Sequence, residues 1–253
     1  HMEKPFEDVF YVHSHDTDMN AVMSIQNIVK YYMETAIDHS ESVGYTFEWL
    51  AKEQRGWVVL NWFIKMYEYP KFTDNIKIST WAKKGNSLQA TRYFTMEDEN
   101  GKVYSEAASR WAFLDLAKRH PTRFTEEMYE VYTCDKEAPF DPGNFALPKE
   151  KEEMLVSEKN IEIRRSETDT NGHVNNVCYV QWACDNIPDD IYAGYMAEEI
   201  RVLYRKECRY GDNVTVKTYI TDYDDNKKQT ISSVNDVNGK PLCKIALVWH
   251  RKN

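Results

Sequence analysis

Three things are scarce in this chain of 253 residues. Positive charge is in deficit: 32 Lys and Arg stand against 41 Asp and Glu, a net charge of −9. That argues against a general nucleic-acid binder, because neutralising phosphates needs a basic surface. Apolar runs are short, and none approaches the length of a membrane span. No secretory signal is read at the start, where His1-Met2 looks like the remnant of a cloning tag. Cysteine is sparse and unpatterned. Cys134, Cys178, Cys184, Cys208 and Cys243 are odd in number and contain no Cys-x-x-Cys pair. Reduced thiols in a cytoplasm fit this better than disulfides or a zinc site, and neither a metal nor an organic cofactor is expected. What is abundant is core-forming material: 42% hydrophobic residues, 17 Tyr and 7 Trp. A packed interior follows, in one large domain or two modest ones.

Two stretches of the chain match at a constant offset of 138 residues. Asp74-Asn75-Ile76-Lys77-Ile78-Ser79-Thr80 matches Asp212-Asn213-Val214-Thr215-Val216-Lys217-Thr218, Asn100-Gly101-Lys102 matches Asn238-Gly239-Lys240, and Trp111 matches Trp249. Shared spacing over separate motifs indicates an internal repeat. Ile76, Ile78 and Thr80 alternate with polar residues, as do Val214, Val216 and Thr218, which is the period of a half-buried strand. The two Asn-Gly pairs predict hairpin turns with positive φ at both central residues.

Each half also predicts one helix. Ile25, Ile28, Val29, Tyr32, Met33, Ala36 and Ile37 lie at i, i+3, i+4 spacing, with Asn20 or Ser24 as cap. Val174, Val177, Cys178 and Trp182 give a shorter stripe that ends before Pro188. Extended segments precede both helices, at 9–12 and 161–163. Strand, helix, then about four antiparallel strands is the hot-dog arrangement, one helix covering one face of a curled sheet. The expected fold class is α+β, a tandem double hot-dog with each sheet wrapped around one central helix. Its parts are an N-terminal half at 3–115, a crossover linker at 116–159 and a C-terminal half at 160–253. The linker holds Pro121, Pro139, Pro142 and Pro148, and a short helix is expected near Thr125–Val131.

Chemistry concentrates in the second half. Asp169, Asn171 and His173 alternate just before the second helix, and Glu207-Cys208 follows 34 residues after His173, at the end of a strand-like segment. Each alone has a bland reading: Asp169 and Asn171 as turn and cap residues, His173 as an ordinary histidine, Glu207 as a solvated charge, Cys208 as an inert thiol. Together they suit thioester hydrolysis, which needs an activated nucleophile and donors for a developing oxyanion. The helix N-terminus brings free amides and a positive dipole end near 173–176. Asn171 can orient water or carbonyl, His173 can move a proton near neutral pH, and Asp169 can orient either. Glu207 is read as the general base, provided its environment raises its pKa. Adjacent residues in a strand face opposite sides, so Glu207 or Cys208 reaches the site, not both. Glu207 is favoured, with Cys208 as the alternative nucleophile.

With these features in hand, the chain resembles the acyl-acyl-carrier-protein thioesterases, the plant and bacterial family that releases free fatty acids. The resemblance rests on Asp169-x-Asn171-x-His173-Val174-Asn175-Asn176-x-x-Tyr179-x-x-Trp182 and Leu203-Tyr204-Arg205-Lys206-Glu207-Cys208, with weaker matches at Val59-Leu60-Asn61-Trp62 and Ser109-Arg110-Trp111. It implies a double hot-dog, catalytic roles for Asp169, Asn171, His173 and Glu207, and a fatty acyl carrier protein as substrate and partner. An older proposal for the family gave the nucleophile role to the cysteine, here Cys208. Two readings stay beside it: an acyl-CoA thioesterase, and a non-hydrolytic acyl-binding or dehydratase-like hot-dog protein. Monomer and homodimer are both open.

The repeat supplies an internal control. Tyr69 and Pro70 stand where Glu207 and Cys208 would fall. Matching Asp16-Thr17 to Asp169-Thr170, a shift of 153, sets Asp18 against Asn171 and Asn20 against His173. On that basis the first half lacks the reactive groups, and Asp16 and Asp18 are structural remnants. The resemblance assigns acyl-chain binding to this half, with Trp57, Val59, Leu60, Trp62 and Ile64 as a candidate tunnel wall. Arg201, Arg205, Lys206 and Arg209 form a basic cluster on an acidic chain, either a solvated strand edge or a docking patch for acidic carrier protein.

Overall fold

The computed structural model describes residues 1–224 and 226–253. They divide into two compact units, His1–Met23 with Ile28–Gly143, and Ser24–Asn27 with Asn144–Asn253.

In the first unit β1 (Phe6–Tyr11), β2 (Arg55–Met66), β3 (Asn75–Lys83), β4 (Ala90–Glu97) and β5 (Val103–Asp115) form an antiparallel sheet in the order β1-β3-β4-β5-β2, with β6 (His120–Thr122) paired to β5. The long helix α1 (Ile25–Ser42) begins where Ser24 Oγ accepts the Asn27 N–H at 3.3 Å, so the cap is Ser24. Its buried stripe holds Ile28, Val29, Tyr32 and Ala36, and burying each of the larger ones stabilises the fold by roughly 1.5–3 kcal/mol. Tyr32 packs against Trp62 and Phe94 and donates its hydroxyl to Ser105 Oγ at 2.7 Å, fastening the helix to β2, β4 and β5. The stripe is rotated from its expected course. Ile37 is 46% exposed, while Thr35 and His39 are buried. Both polar groups are satisfied, Thr35 by the Tyr31 carbonyl and His39 by the Val131 carbonyl and Arg92. Two shorter helices, α2 (Phe47–Glu53) and α3 (Glu126–Tyr132), complete the unit. Met128 and Tyr132 of α3 pack into one cluster with Tyr45, Ala82 and Phe113. Residues 116–143 thus fold onto the first unit, and 144–159 go with the second.

In the second unit β7 (Leu155–Glu162), β8 (Tyr195–Tyr204), β9 (Asn213–Asp224), β10 (Lys227–Asn235) and β11 (Pro241–Arg251) are ordered β8-β11-β10-β9-β7, again antiparallel. Its helix α4 (Asn176–Asp185) buries Tyr179, Val180, Trp182 and Ala183 and lies against β9, β10 and β11. A short α5 (Asp189–Gly194) follows Pro188. Each unit is therefore an α+β hot-dog.

The repeat extends to irregularities. β3 and β9 begin at Asn75 and Asn213, and β2 and β8 end at Met66 and Tyr204, all at the offset of 138. Bulges recur too: Leu60 and Glu198 are the unpaired residues in β2 and β8, Tyr104 and Leu242 those in β5 and β11. The two Asn-Gly turns differ from expectation. Only Gly101 (φ 83°) and Gly239 (φ 80°) have positive φ. Asp98 and Asp236 explain this, since each carboxylate accepts two backbone N–H groups of its turn, holding Asn100 and Asn238 at ordinary φ.

Candidate active site

The segment 168–175 is built by backbone and one carboxylate. Asp169 Oδ1 accepts the N–H groups of Asn171 (2.9 Å) and His173 (3.0 Å). The Asp169 N–H donates to the His173 carbonyl at 2.8 Å, and the Gly172 N–H to the Asp169 carbonyl at 3.0 Å. Gly172 supplies the positive φ, 76°, that closes the loop. Asp169 thus orients its neighbours through their main chain. Below the loop, Glu167 is buried and accepts from the Arg164 N–H (2.9 Å), the Arg164 Nε (3.1 Å) and Trp182 Nε1 (2.7 Å). Burial pushes this carboxyl up, but the Arg164 amide, its guanidinium and the indole outweigh that and hold it below the ordinary range.

The second arm comes from the chain after β8. Glu207 and Cys208 lie beyond the strand end at Tyr204, not within the strand. The bulge at Leu242 turns its carbonyl toward this segment, where it accepts the N–H groups of Arg205 (2.8 Å) and Lys206 (3.2 Å). Two backbone bonds then join the arm to the loop: Val174 N–H to the Cys208 carbonyl at 2.9 Å, and Tyr210 N–H to the Gly172 carbonyl at 3.2 Å. The result places Glu207 Oε2 3.0 Å from His173 Nδ1, with the Glu207 side chain 56% and the His173 side chain 24% exposed. A carboxylate at Nδ1 accepts the proton-bearing side of that nitrogen and so orients the ring.

Cys208 points the other way. It is 4% exposed, its Sγ lies 3.1 Å from Tyr179 Oη, and its own N–H donates to that oxygen at 3.1 Å. Burial raises the thiol's pKa above its usual value. Among the described residues its sulfur has no bond to His173.

The helix-end amides are mostly spent. Asn175 caps α4, its side chain accepting the Val177 N–H at 3.1 Å and its carbonyl the Cys178 N–H at 2.9 Å. The Asn175 N–H goes to the Glu167 carbonyl. Among the described residues, the Asn176 N–H and the Asn171 side-chain amide remain without a protein partner, so the expected row of free donors at 173–176 shrinks to Asn176.

The first unit carries the same loop at an offset of 151, which corrects the shift of 153. Bridges Thr17–Met23 and Thr168–Val174 correspond. So do the Asp18 and Asp169 turns, the 3-10 turns ending at Asp16 and Glu167, and the Tyr31 hydroxyl and Trp182 indole that donate to those carboxylates at 2.7 Å. The Met23 N–H donates to the Pro70 carbonyl as Val174 does to Cys208. Asp169 and Asn171 therefore have counterparts, Asp18 and Asn20, while Val22 stands for His173 and Tyr69 for Glu207.

Of the expected tunnel residues, Trp57 lines a cavity of about 300 Å³ in the first unit. Val59, Trp62 and Ile64 are core, and Leu60 is the bulge residue. Helix α3 and Phe124 form much of the cavity wall, which the reading of 116–159 as linker concealed. In the basic cluster Arg205, Lys206 and Arg209 are exposed. Arg201 is engaged, donating to the Ala146 carbonyl at 2.9 Å and lying 4.0 Å from Glu199.

Comparison with known proteins matches two family profiles in sequence order, the acyl-ACP thioesterase N-terminal domain over residues 3–132 and the C-terminal domain over 149–251. Oleoyl-acyl carrier protein thioesterase 2 of Arabidopsis thaliana, a chloroplastic protein, is 27% identical over 92% of this chain and 67% of its own length. The chain spans about two thirds or less of its first curated relatives. Among solved structures, a putative oleoyl thioesterase of Lactobacillus plantarum superimposes with a TM-score of 0.89 at 19% identity, covering 99% of this chain and 98% of its own. The 12:0-ACP thioesterase of Umbellularia californica gives 0.85 at 21% identity, over 98% and 97%. Two domain profiles, matched in order over most of the length, place this chain in the acyl-ACP thioesterase family.

Proposed function

We propose that this chain hydrolyses fatty acyl thioesters carried on acyl carrier protein, with the reaction centred on the second unit. The observation that carries this is the His173–Glu207 pair on a loop whose counterpart in the first unit holds Val22 and Tyr69. A loop needed only for folding has no reason to keep its carboxylate turn twice and its imidazole–carboxylate pair once.

The chemistry follows from the geometry. Glu207 fixes the His173 ring, and His173 Nε2, or Glu207 through a shared proton, removes a proton from water as the water oxygen attacks the thioester carbon. The carbonyl oxygen becomes an oxyanion, for which the Asn171 amide and the Asn176 N–H are the available donors. Collapse breaks the C–S bond, and the leaving thiolate takes the proton back from His173. The products are a free fatty acid and the carrier's thiol. The buried Cys208 is not needed in this sequence.

Exposed Arg205, Lys206 and Arg209 support docking of an acidic carrier. Cysteines without a disulfide partner support a reducing compartment, the cytoplasm. Among the described residues no helix is long and apolar enough to cross a membrane. The deciding experiment is thiol release from acyl carrier protein and from the matching acyl-CoA. No release from either overturns the hydrolase reading, and a higher kcat/KM on CoA overturns the carrier assignment. Reversing the charge of Lys206 and Arg209 should raise KM for the carrier substrate far more than for a small thioester.

A further inference from the structure

The cavity of the first unit holds a charge that nothing beside it balances. Its wall includes Ala36, Trp57, Trp111, Phe124 and Met128, all apolar surface. Into it β4 brings Arg92, only 7% exposed. Buried arginines are ordinarily paired with carboxylates. Among the described residues no carboxylate lies within 4.0 Å of this one. Its Nη1 donates to His39 Nδ1 at 2.9 Å and Thr80 Oγ1 at 3.1 Å, and the guanidinium sits 5.3 Å from the Tyr132 ring centre. None of these partners is an anion. His39 accepts on Nδ1 and donates from Nε2 to the Val131 carbonyl, so it is neutral. Glu41, at the exposed rim, is bonded to the Phe47 N–H. Both bonds of Arg92 use Nη1, so Nε and Nη2 are donors without acceptors among the described residues. Trp57 lines the same cavity, its indole edge-on to the Tyr132 ring.

Lys83 also lines the cavity, but its Nζ donates to the Cys134 carbonyl at 3.2 Å. A largely apolar hollow in which a buried guanidinium keeps unused donors suits a ligand with an aliphatic body and an acceptor at its end. We propose that this cavity binds an aliphatic chain whose oxygen-bearing terminus, a carboxylate foremost, pairs with Arg92. The inference rests on the reading of the first unit as the acyl-binding half and adds what that half recognises. Two sources carry this chemistry: a free fatty acid held by its own carboxylate, and an acyl chain oxygenated at its far end.

The test uses the full chain. Dodecanoate and dodecylamine are titrated against tryptophan fluorescence, which Trp57 and Trp111 report. Hydrolysis of dodecanoyl and ω-carboxydodecanoyl carrier protein is measured beside it. A hydrogen bond to a charged donor leads us to expect about tenfold or more preference for the acceptor-ended member of a pair. Tight dodecanoate with no ω-carboxyl preference identifies the free acid, and an ω-carboxyl preference identifies the oxygenated chain. Arg92→Leu should abolish the preference and Arg92→Lys restore part of it. Ile37→Trp, at the exposed mouth of the cavity, should weaken binding of any chain. If the unaltered protein shows neither preference, the proposal is overturned, whether or not the Arg92 variants fold. Preference that survives Arg92→Leu, or dodecanoate binding untouched by Ile37→Trp, overturns it too. Failure to cleave plain dodecanoyl carrier protein would sink the hydrolase reading and leave the fatty-acid titration to decide this one.

Discussion

Glu207 Oε2 and His173 Nδ1 are 3.0 Å apart, although 34 residues separate them in the chain. Neither side chain reaches the other from regular structure. His173 sits in a loop shaped by Asp169, and Glu207 sits past the end of β8, where the Leu242 carbonyl redirects the chain. The pair therefore depends on two backbone devices, and both can be tested separately from the chemistry.

Removing the pair should remove turnover. Glu207→Gln keeps the shape and a hydrogen bond but loses the charge that fixes the imidazole proton. We expect kcat to fall by about 10²- to 10⁴-fold with little change in KM, and His173→Ala to fall at least as far. Steady-state thiol release on acyl carrier protein measures both. Unchanged kcat in Glu207→Gln would remove Glu207 from the mechanism.

The thiol offers the opposite outcome. Cys208→Ala should retain activity within a few-fold, because Sγ faces Tyr179 and not the imidazole. The loss should appear in stability, about 1–2 kcal/mol for a small buried cavity and a weakened Tyr179 hydrogen bond. Denaturant unfolding and thiol-release kinetics on the same preparation separate the two. Abolished turnover with normal stability would restore the cysteine route.

Asp169 and Asp18 make a matched pair. Each carboxylate closes the same kind of turn, so alanine at either should cost about 0.5–2 kcal/mol, as for a lost helix cap. Only Asp169→Ala should also depress kcat, since its loop carries His173 where the other carries Val22. Equal activity losses in the two variants would contradict the single-site reading.

A fourth prediction concerns pH. Burial, and then Arg92, push the His39 pKa down to about 3 from 6.5. The unfolded chain therefore binds a proton that the folded chain refuses. Stability from this group is complete above about 6.5 and is lost as pH falls toward 3, at ~1.4 kcal/mol per pH unit within that window. Asp8 works in the opposite sense: burial and then Asp38 raise its carboxyl to about 7 from 3.8, so its protonated form favours the fold as pH falls. The measurable quantity is thus the difference between the unaltered protein and His39→Gln. Thermal unfolding at pH 7 and pH 5 should show the unaltered protein losing more on acidification. Parallel curves would contradict the neutral, buried imidazole.

How much of this could be read from residues alone varies with the range of the interaction. The alternation of Ile76, Ile78 and Thr80 and the Asn-Gly turns are local signals, and the strands they predict are there, β3 and β9 among them. The turn type departs from the Asn-Gly expectation because Asp98 and Asp236, two residues before the Asn, supply an acceptor that makes positive φ at Asn unnecessary. The two Asp-bearing loops match at an offset of 151 and not 153, since Asp16-Thr17 and Asp169-Thr170 look alike in sequence while the hydrogen bonds equate Asp18 with Asp169. No local pattern marks the cavity, because its wall joins α1 to α3, as in the His39–Val131 contact between residues 92 apart.

By itself the sequence determined a doubled α+β hot-dog, with a histidine and glutamate in the second copy that the first copy lacks at the matching positions, because strand period, helix spacing and turn residues act over a few neighbours. Only the tertiary structure decided that Glu207 meets His173 while Cys208 meets Tyr179. It also decided that Asn176 keeps its amide and that, among the described residues, Arg92 stands in a largely apolar hollow with no carboxylate within 4.0 Å. Each of these depends on which distant backbone groups are satisfied by one another, and no local pattern records that.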